Sequence, residues 1–423
     1  MKNGRVAIVY PWPNFDTVPS LCNAALLLSQ RGYMVDVFTH VSHDYEVPYF
    51  DGNGINLRVS RSETFLSNVA RSKDSVNAAA RTPPLRLTLL HHCKRAIMRL
   101  IDLASWFESA IQTWWLHRAK PFKCFIGVDP HGLLQAHFLA RFLRVPVVYY
   151  SLELLPSDEA SNPVHKRLKS KEIATSRRAA FVIIQDQERA RLLGEDNQIP
   201  LEKCVLVPNA PLGPARRKPS RHWHRQFDLS SDVRIVLHAG SIEPWTGIGE
   251  IADAVGSWPE NWVLVIHTRH HAESSTEVER LRGSSSASRI FFSLKPVSRQ
   301  EYGSLVDGAD IGVAFYVPTV GSPTWQRNIQ AVGLSSGKVA YYLRAGLPVI
   351  VNDQASISEL VQREACGKSV RHARDIGVAI AEIAWRYQEY SYNACKVFDG
   401  YFDFARGFEK VASRIDSLSS GMR

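Results

Sequence analysis

A loop of small residues with one lysine stands directly before a helical pattern in residues 333–353, which read GLSSGKVAYYLRAGLPVIVND. The first N–H groups of a helix lack intrahelical partners and carry partial positive charge, so phosphate binds there readily. Ser335, Ser336 and Gly337 would let a phosphate approach the backbone, and Lys338 would add a full charge. A simpler interpretation is that Ser335 or Ser336 only caps the helix. The segment alone leaves both interpretations open.

Polar residues also follow several apolar runs that read as buried strands. Asp129 and His131 follow CFIGV, and Glu153 follows PVVYYS. Gly240 and Ser241 follow VRIVLHA in the second half of the chain. In open parallel sheets, ligands bind outside the carboxyl ends of the strands. We therefore expect two sets of strand ends, one from each domain, to line a cleft between the domains.

The elements that would position these residues form two successive βα series, which predict doubly wound α/β domains with buried parallel sheets. A stretch rich in proline and basic residues over 208–230 separates the two series and reads as a linker. We expect a first Rossmann-like domain over 1–208, with a helical insert at about 60–120. A second Rossmann-like domain would cover 209–398, and a terminal helix would cover 399–423.

Composition narrows the class of protein. The chain has 423 residues, more than one core usually supports, and 45% hydrophobic with 22% charged residues is typical of a globular protein. Lys and Arg exceed Asp and Glu by 51 to 41, a net charge of +10. This excess of positive charge favours an acidic partner. The alternative is that the basic residues only form a solvated surface. Six scattered cysteines and no membrane-length apolar run predict a cytoplasmic protein, at most peripheral on the inner face of a membrane.

The helical insert is both basic and aromatic. Residues 83–120 read PPLRLTLLHHCKRAIMRLIDLASWFESAIQTWWLHRAK, with Trp106, Phe107, Trp114 and Trp115 near the end. A basic amphipathic helix that carries Trp can lie on an anionic membrane, so peripheral contact through about 83–118 is one prediction. The alternative is a helix docked on its own domain with its basic side outward.

Sequence motifs of several other kinds of enzyme and binding protein are absent or incomplete. No Asp-x-Asp, Gly-x-Gly-x-x-Gly, Walker loop or Gly-x-Ser-x-Gly elbow occurs. HTRHH at 267–271 lacks a third ligand at metal spacing, so we predict a polar surface turn and no metal site. RHWHR at 221–225 reads as part of a solvated linker, although its residues could touch nucleic acid. We predict no nucleic-acid partner, because basic and aromatic residues do not interleave across a strand.

The order of elements and the stretch GLSSGKVAYYLRAGLPVIVND resemble the GT-B glycosyltransferases of family 4. In that family, an SGK-x-x-EY-x-x-AGLPVI segment builds the nucleotide-sugar site. Other similar pieces are VLVPNAP, HAGSIEPWTGIGEIADAV and SELVQREACGKSV. The resemblance covers the whole second domain, and covers the first domain mainly by architecture. It implies two Rossmann-like domains facing each other across a cleft, with the C-terminal helix returning to the first domain. It also implies that the domain over 1–208 binds the acceptor and the domain over 209–398 binds the nucleotide-sugar.

The chain departs from the family pattern at the charged positions. The family's paired glutamates would fall at Gly333 and Tyr341, and its diphosphate-binding arginine and lysine at Ser241 and Thr246. The family's histidine near the reacting centre falls close to Asp129, with His131 two residues on. Because Lys338 and the glycine turns are retained together, we interpret the chain as a working variant.

The resemblance implies a hexosyltransferase-type enzyme that moves a sugar from a nucleoside-diphosphate-sugar, with retention of configuration, no metal and no cofactor. The acceptor would be a glycan or glycolipid, such as a lipid-linked or surface-polysaccharide intermediate. Asp129, His131 and Glu153 are the candidate catalytic residues. The candidate donor-binding residues are Gly240, Ser241, Thr246, Ser335, Ser336, Gly337, Lys338 and Tyr341. Alternative hypotheses are a sugar-nucleotide epimerase, a non-catalytic GT-B scaffold, and a nucleic-acid-binding protein.

Overall fold

The computed structural model describes residues 4–15, 18–40, 54–59, 106–268, 275–284, 286–318 and 325–418. Within them the strands form one sheet ordered β3-β2-β1-β4-β5-β6-β7 and another ordered β10-β9-β8-β11-β12-β13. The strands are β1 (Arg5–Tyr10), β2 (Met34–Thr39), β3 (Ile55–Val59), β4 (Phe122–Val128), β5 (Val147–Tyr150), β6 (Val182–Ile184), β7 (Cys204–Leu206), β8 (Arg234–Ala239), β9 (Trp262–His267), β10 (Ile290–Ser293), β11 (Ile311–Ala314), β12 (Val349–Asn352) and β13 (Gly367–Val370).

Helices alternate with these strands along the chain. They are α1 (Pro19–Gln30), α2 (residues 106–119), α3 (Asp129–Leu143), α4 (Pro163–Ser176), α5 (Gln187–Asn197), α6 (His222–Phe227), α7 (Ile248–Asp253), α8 (Thr276–Arg282), α9 (Arg299–Asp307), α10 (Gln326–Gln330), α11 (Gly337–Arg344), α12 (Ile357–Arg363), α13 (Ile376–Trp385), α14 (Tyr387–Tyr401) and α15 (Phe404–Ser417). Strand, helix and parallel strand repeat in both halves, as the sequence predicts.

The sheets are buried because their strands are apolar on both faces. All six residues of β1 are buried, and β1 pairs in parallel with β2 and β4. The buried carboxylate of Asp36 on β2 is one polar exception. It lies between Arg58 on β3, at 2.8 Å, and Arg5 on β1, so two guanidinium groups offset its desolvation.

The strand order reverses once in each sheet, between β1 and β4 and between β8 and β11. Such switch points open crevices at the carboxyl ends of the strands, where ligands of α/β proteins bind. Asp129 directly follows β4, and Gly240 directly follows β8. Both therefore stand at a switch point of their own sheet.

Contacts divide the chain into two compact units. The first comprises residues 1–151, 170–182 and 411–423, and the second comprises 152–169 and 183–410. The end of α15 thus joins the first unit, as expected for the C-terminal helix. There Asp416 accepts hydrogen bonds from Arg31 Nε at 2.8 Å and from the hydroxyl of Tyr33.

The prediction of a solvated linker at RHWHR is wrong. Residues 222–227 form α6, and the side chain of Trp223 is fully buried. Its ring stacks on Phe227 with centroids 5.8 Å apart and lies 6.3 Å from the ring of His267. The indole anchors α6 on the second unit, because a large apolar surface is removed from water there.

The helical insert is described only in part, since most of the predicted membrane segment (83–105) lies outside the described residues. Its last part, residues 106–119, is helical as predicted. No described helix combines the length and the apolar character that a bilayer crossing requires. Cys22, Cys124, Cys204, Cys366 and Cys395 are free thiols.

Candidate functional site

The loop before α11 ends in a true N-cap. Ser336 is buried, and its Oγ accepts a hydrogen bond from the N–H of Val339 at 3.1 Å. The hydroxyl of Tyr316, which follows β11, bonds the same Oγ. Gly337 and Lys338 supply the preceding N–H groups of the first turn. Ser336 therefore serves the backbone, and an anion at this helix end would meet the Gly337 and Lys338 amides.

Lys338 lies beside the turn that follows β8. A Cβ atom built on Gly240 would stand 3.1 Å from Cε and 3.3 Å from Nζ of Lys338, so a side chain at 240 would press on this lysine. The ammonium group is 5.2 Å from the ring centroid of Tyr316 and 5.9 Å from that of Trp245. Two aromatic faces thus hold the cation next to Gly240.

A tyrosine that sequence reasoning missed fixes α11 against β8. The N–H of Ala239 donates to the hydroxyl of Tyr342 at 2.7 Å. The Tyr342 ring crosses β11 at Gly312, where an added Cβ would lie 2.2 Å from a ring carbon. The neighbouring Tyr341, chosen from the family pattern, packs instead on Tyr302 with ring centroids 4.7 Å apart. The helical spacing of Val339, Tyr342 and Leu343 could have shown which tyrosine faces inward.

The structure explains why glycine stands at position 333. Gly333 has φ +35°, and a Cβ there would come within 2.3 Å of Oδ2 of Asp186. Asp186 caps α5 and also accepts the N–H of Leu334 at 2.9 Å. The N–H of Gly333 donates to Ser356 Oγ at 2.9 Å. Any side chain at 333 would therefore collide with a carboxylate that already holds the loop.

The motif VLVPNAP contacts the same loop. The N–H of Asn209 donates to Leu334 O at 2.8 Å, and its Nδ2 donates to Ser335 O at 3.0 Å. The same amide lies against Gly337, since a Cβ there would be 3.3 Å from Nδ2. Two segments that resemble the family in sequence thus meet at the N-terminus of α11.

The turn after β8 is held by a neutral histidine. His238 Nε2 bonds the carbonyl oxygen of Ser241 at 3.1 Å, and because a carbonyl only accepts, Nε2 carries the proton. Burial, followed by the charge of Lys338, lowers the pKa of His238 to about 3. The imidazole is therefore uncharged at neutral pH, and Lys338 supplies the positive charge at this turn.

Thr246 lies inside its own turn rather than at a ligand surface. Its side chain is fully buried, and its hydroxyl donates to Glu243 O at 2.7 Å. Gly247 follows with φ +59° and completes the turn. The structure therefore gives Thr246 a role in shaping the segment between Ser241 and α7.

In the first unit, Asp129 stands at a strained corner between β4 and α3. Its φ is +54°, a left-handed value that is costly for a residue with a Cβ. Gly132 lies one turn later against β1, where an added Cβ would be 2.3 Å from Val9 O. His131 is exposed and meets the edge of Trp12, with ring centroids 5.3 Å apart. Asp129 and His131 thus share the first turn of α3 at the switch point.

Glu153 belongs to the second unit, whereas Asp129 and His131 belong to the first. Its carboxylate accepts a hydrogen bond from Asn328 Nδ2. Asn328 Oδ1 in turn accepts the N–H of Leu154 and a guanidinium N–H of the buried Arg189, both at 2.9 Å. Glu153 therefore completes a structural network, a role that its position after a strand did not reveal.

A small, open polar cavity of about 20 Å³, room for about one water molecule, lies in the first unit near the carboxyl ends of β1, β2 and β3. Sequence reasoning did not identify it, because its walls come from five separate segments. Its lining residues are Pro11, Phe38, Thr39, His40, Arg58, Val59, Glu108, Ser109, Gln112 and Gln135.

The predicted polar surface turn at 267–271 is wrong at its start. His267 and Thr268 are buried, and His267 Nδ1 bonds Ser293 Oγ at 3.1 Å; residues 269–271 lie outside the described part. Among the described residues, no group of three or more His, Cys, Asp or Glu side chains is arranged to hold a metal ion.

These two sheets define the fold class. The chain has a two-domain GT-B fold, as the sequence resemblance implies. Residues 324–401 match the family model described as glucosyltransferase 3-like, C-terminal domain. A search of curated proteins by sequence found no match.

Solved structures of similar fold cover almost the whole chain. WaaG, a glycosyltransferase involved in lipopolysaccharide biosynthesis, is 14% identical, with a TM-score of 0.60 over 97% of this chain and 100% of its own. HepE from Anabaena, in complex with UDP-glucose, is 13% identical, with a TM-score of 0.66 over 98% and 100%. Sucrose-phosphate synthase from Thermosynechococcus elongatus is 16% identical, with a TM-score of 0.65 over 98% of each chain.

Proposed function

We propose that this protein transfers a sugar from a nucleoside-diphosphate-sugar to a hydroxyl group of an acceptor. The observation that carries the proposal is the position of Lys338. It stands in the first turn of α11 and beside Gly240, so one cation serves both the helix N-terminus and the switch-point turn after β8. The donor diphosphate would bind there, with the Gly337 and Lys338 amides as hydrogen-bond donors.

Catalysis would depend on charge that develops on the leaving diphosphate. As the glycosidic bond to phosphate breaks, negative charge grows on the phosphate oxygens, and preorganised N–H dipoles and Lys338 would stabilise it. A retaining reaction without a metal ion fits this site, because its positive charge comes from the protein itself. We expect no further cofactor, and a transfer rate unaffected by chelators.

We favour a UDP-sugar as donor. HepE was solved in complex with UDP-glucose. A second structure of similar fold, described as trehalose-6-phosphate from E. coli, was solved with bound UDP-2-fluoro glucose. Both support UDP over GDP or ADP for a second domain of this architecture. Tyr341, half-buried at the family's second glutamate position, is the candidate neighbour of the nucleoside.

The acceptor would bind the first unit, where Asp129 and His131 stand at the switch point. The strained backbone of Asp129 suggests a functional constraint on that corner. The small polar cavity lined by Thr39, Glu108 and Gln135 could receive one hydroxyl group of a sugar, since it offers both donors and acceptors. A lipid-linked or surface-polysaccharide intermediate is the acceptor class we favour, and WaaG's involvement in lipopolysaccharide biosynthesis supports it.

A thermal-shift panel of UDP-, GDP- and ADP-sugars tests the donor, followed by incubation of the active donor with candidate acceptors. We expect one nucleotide class to stabilise the chain and the sugar to appear on the acceptor with its anomeric configuration retained. Conversion of the donor into an epimeric nucleotide-sugar in the absence of acceptor would instead show an epimerase. Stabilisation by none of the three classes would overturn the proposal.

A non-catalytic scaffold is the second candidate, favoured by the specific absence of acidic side chains at Gly333 and Tyr341. It predicts an intact fold that none of the three nucleotide classes stabilises, and no transfer across the acceptor panel. Transfer at any acceptor would exclude it.

A further inference from the structure

Helix α2 exposes several large apolar side chains and buries two small polar ones. Its buried positions include Ser109 and Thr113, and Thr113 donates its hydroxyl to the carbonyl of Ser109. Its exposed positions carry large apolar side chains, Phe107, Ile111 and Trp115, which are 53%, 61% and 63% exposed. A surface helix normally buries such residues and exposes polar ones.

The apolar face continues from α2 onto α3. Residues 107, 111, 114, 115 and 118 recur at helical spacing, so they share one side of α2. The ring of Phe138 lies 6.2 Å from that of Phe107 and 5.3 Å from that of Phe142, which is itself 66% exposed. We call Phe107, Ile111, Trp114, Trp115 and Phe142 the aromatic face. A contiguous exposed apolar patch of this kind marks a surface that contacts a partner.

Basic side chains border the aromatic face. The guanidinium of Arg118 lies 4.8 Å from the ring centroid of Trp114. Arg141 and Arg144 are exposed on either side of Phe142. Glu108 is an exposed acid on the same helix, and it also lines the polar cavity. The border of the aromatic face is thus mainly positive, which is complementary to an anionic surface.

We infer that the aromatic face docks the first unit on an anionic lipid bilayer. Tryptophan favours the boundary between acyl chains and headgroups, and arginine beside it pairs with anionic lipid phosphates. Because α2 also supplies Glu108, Ser109 and Gln112 to the polar cavity, docking would hold that cavity close to the headgroups. The inference does not rest on sugar transfer, since vesicle binding and donor binding are separate measurements.

The test is co-sedimentation of the full chain with vesicles of phosphatidylcholine alone or with about 30% phosphatidylglycerol. We expect binding to the anionic vesicles that weakens with added salt. Trp114→Ser/Trp115→Ser should lower the partition coefficient about tenfold or more. Trp385→Ser is the matched control, since Trp385 is 88% exposed in the second unit, and it should bind like the wild type.

Three results would overturn the inference. These are no binding of the wild type to anionic vesicles, equal binding of the double variant, or equal binding of the wild type to vesicles with and without phosphatidylglycerol. If the wild type binds no vesicles but forms a dimer that the double variant abolishes, the aromatic face belongs to a second copy of this chain. Equal thermal midpoints of the double variant and the wild type would show that the exposed tryptophans can be replaced without unfolding the chain.

Discussion

Lys338→Met removes the positive charge at the proposed diphosphate site and keeps most of the aliphatic stem. Nζ lies 5.2 Å from the centroid of the Tyr316 ring and 3.3 Å from a Cβ built on Gly240. Methionine fills most of the space that the lysine stem occupies there, so the turn should keep its structure. A hydrogen bond to a charged group contributes about 1.5–3 kcal/mol. At about 1.4 kcal/mol per factor of ten, donor Kd should rise roughly ten- to hundredfold.

The same loss can be measured as a thermal shift. A donor present at about 100 times its Kd stabilises the folded chain by about 2.7 kcal/mol, and a hundredfold weaker Kd leaves about 0.4 kcal/mol. Titration calorimetry with the donor found in the nucleotide-sugar panel gives the Kd values directly. Lys396→Met is the matched control, because Lys396 is an exposed lysine of α14 in the same unit. Equal donor affinity of Lys338→Met and the wild type would refute the proposed site.

Two further predictions concern the residues around this site. Gly333→Ala should lower the free energy of unfolding by about 1–3 kcal/mol, because its Cβ would stand 2.3 Å from Asp186 Oδ2. Urea unfolding measures this, and Gly303→Ala is the control, since a Cβ there meets nothing within 4 Å; equal loss in both variants would contradict the prediction. His238 has a folded-state pKa of about 3, below the ordinary 6.5, so its contribution to stability is present above pH 6.5 and is lost as pH falls toward 3. Between pH 7 and 5 the wild type should therefore lose stability more steeply than His238→Asn, by up to about 1.4 kcal/mol per pH unit, and equal slopes would contradict this.

The strands that are buried on both faces could be predicted from the sequence alone. VAIVY, CFIGV and WVLVIH are short apolar runs between helical patterns, and they became β1, β4 and β9. β3 (INLRV) and β13 (GKSV) were missed because both stand at a sheet edge and carry polar residues. α6 was missed because a basic, proline-rich context concealed one fully buried tryptophan, Trp223.

Less of the candidate site than of the fold could be predicted from the sequence. The N-cap at Ser336 follows from local sequence, since serine before a helical pattern is a cap signal. The contacts that hold the site do not, because they join residues far apart in the chain. Asp186 and Leu334 are 148 residues apart, Asn209 and Ser335 are 126 apart, and Ala239 and Tyr342 are 103 apart. A single sequence gives no signal for such pairs.

The central claim is that the donor diphosphate binds at the N-terminus of α11. Hydrogen–deuterium exchange of the full chain, with and without the stabilising nucleotide-sugar, tests it most directly. We predict slower exchange in peptides that cover the turn 240–246 and the loop 335–339, and unchanged exchange over α14 (Tyr387–Tyr401). Protection elsewhere with none in these two segments would contradict the account.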